Sequence, residues 1–113
     1  MQPILKIDLS TGSTSEFIIP PEWERFFLGG SALAARLLYP YLTAALDPFS
    51  PEAPLLFLNG PLSGTIGPTT GRSVVCGKSP ATGLWAESNV GGFWGAEMRF
   101  TGYDGLWVTG RAE

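Results

Sequence analysis

Asn59-Gly-Pro-Leu-Ser-Gly-Thr-Ile-Gly-Pro-Thr-Thr-Gly-Arg72 and, further on, Ser88-Asn-Val-Gly-Gly-Phe-Trp-Gly-Ala-Glu97 govern how this chain is read. Twelve of the 15 glycines lie between Asn59 and Gly110. Glycine loses more backbone freedom on folding than any other residue, so a small domain carries it in bulk for a reason. A flexible linker is one reason, but a linker would not keep Leu84, Trp85, Phe93, Trp94 and Trp107 among its glycines. Close approach of backbone to a neighbouring strand, or to a polyanion gripped by amide N–H groups, is the better one.

The rest of the chain fits around these two segments. Leu55-Leu-Phe-Leu58, just before the first, is a continuous apolar run suited to a strand buried on both faces. Ser73 to Gly77 follows the loop as a strand, Ser79 to Gly83 reads as a turn, and Leu84 to Glu87 as another strand. The second segment predicts a short helix over 89–100, opened by Asn89, and Tyr103 to Thr109 a last strand. Upstream, Leu5, Ile7 and Leu9 alternate with polar residues, so 3–9 is a half-buried strand; Ser10 to Ser13 is turn chemistry and 15–19 closes a hairpin. Pro20-Pro-Glu22 starts a short helix that stops at Gly29-Gly30, and Ser31 is expected to cap a second one over 32–39. Asp47-Pro, Ser50-Pro and Ala53-Pro mark 43–54 as an exposed connector. Strands and helices mix without a strict βαβ rhythm, so the fold class is α+β, an antiparallel or mixed sheet with two or three short helices.

Composition narrows the function. Hydrophobic residues reach 44% and charged residues only 15%. A free-standing small domain needs a charged surface, so part of this one is expected to be covered by a cofactor, a partner or further chain. With net charge −3 and its seven Lys and Arg scattered, the sequence offers no basic stripe for nucleic acid. It has no histidine, the usual general base, and one cysteine, too few for a disulfide, a zinc cluster or an iron–sulfur cluster. No apolar signal core or membrane-length run occurs, and a reducing cytoplasm is the expected location.

Few residues carry chemistry. Asn89 ahead of Gly91-Gly92 reads as a helix N-terminus with bare amides, an anion site. The plain alternative is that Gly91, Gly92 and Gly95 let the helix pack closely. Arg72, at a strand mouth beside a glycine loop, is placed to clamp a phosphate; paired with Glu87 or Asp104 it would be ordinary surface. Lys78 reads as a solvated charge and Cys76 as an inert buried thiol. The tryptophans suit a flat ligand but equally a small core. The loop 60–71 is neither a P-loop nor a dinucleotide fingerprint, because neither spacing is met.

Several segments together resemble the amino-terminal domain of the aldehyde ferredoxin oxidoreductases, tungsten and sometimes molybdenum pterin enzymes. They are Gly60-Pro-Leu-Ser-Gly-Thr65, Pro68-Thr-Thr-Gly-Arg72, Lys78-Ser-Pro-Ala-Thr-Gly83, Ser88-Asn-Val-Gly-Gly92, Gly95-Ala-Glu97 and Phe100-Thr-Gly-Tyr-Asp104. Asp8-Leu-Ser-Thr-Gly12 and Leu28-Gly-Gly-Ser-Ala-Leu-Ala34 extend the match, in order, over essentially the whole chain. The resemblance implies one half of a pseudo-twofold domain, residues 1–113 being an incomplete version of it, on which a bis-pterin cofactor lies. It implies that Arg72 binds the pterin, that Asn89, Val90, Gly91 and Gly92 contact the cofactor, and that the Asn89 carbonyl helps hold a magnesium ion between pterin phosphates. It also implies that the [4Fe–4S] cysteines and the acid–base residues belong to later parts of the family fold.

The expected function is therefore the cofactor-binding part of an enzyme that oxidises aldehydes with water to carboxylic acids, electrons passing through an iron–sulfur cluster to ferredoxin. The chain alone is not expected to be catalytic. Its expected partners are the remainder of such an oxidoreductase or a second copy of itself, with no nucleic acid and no membrane. The alternatives are a homodimeric pterin carrier, in which two copies recreate the pseudo-twofold, and a truncated product without ligand.

Overall fold

The computed structural model describes residues 1–113 as one six-stranded sheet with three helices. The elements are β1 (Ile4–Asp8), β2 (Ser13–Phe17), α1 (Pro21–Phe27), α2 (Gly30–Leu38), β3 (Leu55–Asn59), β4 (Ser73–Lys78), β5 (Trp85–Val90), α3 (Trp94–Phe100) and β6 (Gly105–Thr109). Strand order is β2-β1-β6-β3-β4-β5. Only β1 and β6 run parallel; every other pair is antiparallel. The expected mixed α+β sheet is what forms.

Register sorts the side chains onto two faces, because directly paired residues share a face. One face carries Ile4, Trp107, Leu56, Leu58, Val74 and Cys76. Against it lie Leu33, Ala34, Leu37 and Leu38 of α2, spaced to make one apolar stripe, and together these residues form the buried core. The other face carries Leu5, Ile7, Leu55, Phe57, Val75, Leu106 and Val108. Only its end near Asn59 is covered: Trp94 of α3 meets Phe57 with ring centroids 5.4 Å apart.

Helix ends differ from expectation at two places. α2 starts at Gly30, not after Ser31, and no side chain caps it. The Ser31 hydroxyl instead donates to Glu87 Oε1 at 2.6 Å, tying α2 to the edge strand β5. Asn89 does not open α3. β5 runs on through Ser88↔Val75, Asn89↔Val74 and Ser73↔Val90, and the helix begins only at Trp94. Cross-strand pairing wins over the local capping signal, since a strand one ladder long satisfies more backbone groups than one cap. No helix is long and apolar enough to cross a membrane.

Candidate functional site

Arg72 and the Asn89–Gly92 segment, far apart in sequence, are neighbours in the fold. β4 and β5 pair so that Ser73 faces Val90, which puts the residue before one strand beside the residues after the other. The contact is close: a Cβ on Gly71 would stand 2.9 Å from the Gly92 carbonyl oxygen, so a side chain there would have to displace the corner. Gly92 turns the chain with φ +83°, a conformation most residues avoid. A Cβ at Gly91 or Gly92 would meet no atom within 4 Å. The corner therefore has open space over the bare backbone of Gly91 and Gly92.

Arg72 is exposed beside this corner. The ion pairs of the molecule are Met1–Glu24 and Arg99–Asp104, so Arg72 is left without an acid. Neither Glu87 nor Asp104, its ordinary partners on sequence grounds, takes it: Glu87 accepts from Ser31 and Trp85, and Asp104 from Arg99. An unpaired guanidinium next to open glycine backbone can hold a phosphate through paired hydrogen bonds. Asn89 is exposed and Val90 half-buried on β5. Since β5 is an edge strand, every second carbonyl along it points away from β4, the kind of oxygen that hard cations take. No three His, Cys, Asp or Glu side chains converge anywhere in the chain.

The helix N-terminus expected at Asn89 is not part of the site, because α3 is seven residues long and starts beyond the glycines. Close packing does explain Gly95. A Cβ there would run into Ser73 Oγ and lie 2.7 Å from Asn59 Oδ1. It does not explain Gly91 and Gly92, which face open space.

Behind the corner sits a buried polar cluster that local reading of the sequence missed. Asn59, Ser63, Ser73 and Asp104 are all buried. Ser73 Oγ donates to Asn59 Oδ1 at 2.6 Å, and Asn59 Nδ2 donates to the Gly95 carbonyl at 2.9 Å. The Asp104 carboxylate accepts from the Gln2 amide at 2.7 Å and from Arg99 at 3.2 Å. The only signals in the sequence were a polar residue ending the apolar run 55–58 and an acid opening the last strand.

Cys76 is a buried thiol, pushed up to about 12 by burial first and by the charge of Glu87 second. Lys78 is not a solvated charge; its ammonium donates to the carbonyls of Thr43, Ala44 and Leu46 at 2.7–3.1 Å. Trp107 is a core residue with Tyr41 edge-on at 5.1 Å, and Trp85 lies half-exposed on β5. A groove of about 790 Å³ between the end of α2 and the β4–β5 hairpin, lined by Tyr39, Leu42, Leu84 and Trp85, is separate from the glycine corner.

Residues 4–113 match the family described as aldehyde ferredoxin oxidoreductase, N-terminal domain. The chain is 42% identical, over 97% of its length, to the tungsten-containing aldehyde ferredoxin oxidoreductase of Pyrococcus horikoshii. It is 31% identical, again over 97% of its length, to the aliphatic sulfonate oxidoreductase, WOR-like subunit, of Pyrococcus furiosus. Each of these matches spans 18% of the relative. Among solved structures, the active-site complex BamBC of benzoyl coenzyme A reductase superimposes with a TM-score of 0.94 at 35% identity, covering 98% of this chain and 17% of that one.

Proposed function

Because the chain belongs to the aldehyde ferredoxin oxidoreductase family, as its amino-terminal domain, we propose that it is the pterin-cofactor-binding part of a tungsten or molybdenum oxidoreductase. When bound, the metal pterin supplies a two-electron redox centre. The guanidinium of Arg72 holds the pterin and its phosphate from one side. Asn89, Val90, Gly91 and Gly92 line the other, and the Asn89 backbone carbonyl contributes to a magnesium ion at the phosphates. The bare Gly91–Gly92 corner lets the ligand approach backbone amides with no side chain in the way.

The observation that carries this reading is the Gly71–Gly92 contact, which brings an unpaired arginine to open backbone. A second support is that the same fold serves relatives named for different substrates. What they share in this segment is then better sought in a common cofactor than in substrate choice. Oxidation of aldehydes to acids, the [4Fe–4S] cluster and delivery of electrons to ferredoxin would belong to a complete enzyme; relatives of this kind are more than five times the length of this chain. In this reading the chain works with that remainder.

A homodimeric carrier is the second reading, favoured by the largely uncovered apolar face of the sheet. Native mass spectrometry of anaerobically purified protein, with elemental analysis of the same sample, tests both. Pterin mass with tungsten or molybdenum, lost in Arg72→Gln, is the expected result. A dimer holding one cofactor moves the conclusion to the carrier. Cofactor retained unchanged in Arg72→Gln would overturn the assignment of the site.

A further inference from the structure

We infer that Ser63, locked by the Arg99–Asp104 pair, is a positioning residue that sets Arg72 for a phosphorylated pterin. The inference rests on the proposed cofactor site and adds to it the device that aims its arginine.

The chain of contacts is continuous. Asp104 is fully buried and opens the central strand β6, so its carboxylate is fixed by the sheet itself. Its backbone is pinned on both sides, the Asp104 carbonyl accepting from Asn59 N–H at 2.8 Å and its N–H donating to the Pro3 carbonyl at 3.1 Å. Arg99, on α3, pairs with that carboxylate through one guanidinium nitrogen. Its other terminal nitrogen donates to the carbonyls of Pro61 at 2.8 Å and Ser63 at 2.7 Å. A planar fork can serve a carboxylate and two carbonyls at once, which a lysine ammonium on a flexible stem does not reproduce. The start of the glycine loop is thereby fastened to the sheet.

Ser63 then reaches across the loop. Its side chain is buried, and its hydroxyl donates to the Arg72 carbonyl at 3.1 Å. Between these two anchors lie Gly64, Gly67 and Gly71, which resist little if left to themselves. Without the Ser63–Arg72 bond, the residues carrying the arginine would lose their one hydrogen bond to the start of the loop and be held by β4 and by the packing of Gly71 on Gly92. A guanidinium must meet phosphate oxygens at fixed angles for its paired bonds to form, so drift of the backbone under Arg72 weakens phosphate binding more than contact with the ring. The bond lies outside the hydrophobic cluster, and a purely structural role would weaken binding of a pterin with and without phosphate alike, whereas a positioning role would not.

The test uses the 113-residue protein with two fluorescent probes, neopterin and neopterin monophosphate, and amide hydrogen exchange. Replacing Arg99 by alanine would strand the buried Asp104 charge and confound the result, so Ser63→Ala is the informative variant. It deletes one hydroxyl and leaves the Ser63 carbonyl on Arg99. The expected outcome is a loss of roughly tenfold in preference for the phosphorylated probe, the worth of about 1.4 kcal/mol. Affinity for neopterin should fall much less than affinity for the monophosphate, with faster exchange confined to the loop amides and none in β3 or β4. Arg99→Lys, which keeps the charge facing Asp104, should reproduce the loss of preference. Equal weakening of both probes, or wild-type preference in Ser63→Ala alongside its loss in Arg72→Gln, would overturn the positioning role and leave the site standing. Unchanged preference in Arg72→Gln, or no binding of either probe by the wild type, would overturn the site and the inference with it.

Discussion

Cys76 shows how a single buried residue couples to conditions. It sits 1% exposed in the α2-facing layer of β4, opposite Glu87. Burial disfavours the thiolate, the nearby carboxylate adds to it, and the thiol is pushed from its ordinary 9.0 to about 12. The folded protein therefore keeps a proton that the unfolded chain gives up. Where the native state binds more protons, stability falls as pH rises. The contribution is intact below pH 9.0 and is lost progressively from there toward about 12. Urea melts across that window should show a declining stability for the wild type, with the Cys76 share of the decline absent in Cys76→Ala. Alkylation of Cys76 in the same window should be limited by unfolding rather than by thiolate content. A thiol that reacts at the rate of a free cysteine in the folded protein would contradict this account of its burial.

Among the elements, those whose side-chain pattern is self-sufficient were legible in the sequence, and those decided by a distant partner were not. Alternation around Leu5 and Ile7 and the apolar run Leu55 to Leu58 each mark a strand, so β1 and β3 stand where expected, but β3 is not buried on both faces: Leu56 and Leu58 are buried while Leu55 is 43% exposed. Asn89-Val-Gly-Gly looks like a helix start to any rule confined to its neighbours, yet β4 captures Asn89 and Val90 as strand. The candidate site was half legible for the same reason. Arg72 and Gly91–Gly92 stood out by residue type, whereas Ser63, Arg99 and Asp104 act only through contacts made by folding. Lys78 belongs with them. At the end of β4 it closes on three carbonyls of residues 43–46, which otherwise bond sparsely within the connector. Its stem also lines the groove beside Leu42 and Trp85. Lys78→Met keeps the apolar stem and removes the ammonium, leaving the Leu46 and Ala44 carbonyls to water. A destabilisation of about 1–3 kcal/mol is expected, since hydrogen bonds from a charged donor are the stronger kind. Calorimetry would read it as a lower Tm, and exchange at residues 43–46 should rise first. No change in either would mean that the connector holds itself in place.

At the scale of the whole molecule the sheet is apolar on both faces, but α2 covers the centre of only one. Only 20 of 113 residues are buried, and twelve hydrophobic ones make up the core. A sheet that meets water on one side alternates apolar with polar residues. Here Leu5, Ile7, Val75, Leu106 and Val108 occupy the side away from α2, half-buried, with Leu55 43% exposed among them. Layered folds hide such a face against a second layer, and α3 reaches only its Asn59 end. Contiguous apolar surface of this kind drives association, and a chain with 15% charged residues has little to oppose it. The isolated protein is therefore expected to self-associate reversibly, with sedimentation coefficients that rise with concentration and do not fall when salt is added, because the attraction is hydrophobic and not ionic. Leu106→Glu, in the middle of the open face, should return it to monomer. The carboxylate there would point to solvent, so the cost to folding should stay within about 1 kcal/mol. Leu56→Glu, on the covered face of the neighbouring strand, would place a charge in the core and should abolish folding. The pair separates the two faces. A wild type that remains monomeric at every concentration would mean that the helical end of this face hides more of the surface than its side chains suggest, and the low surface charge would then need another explanation.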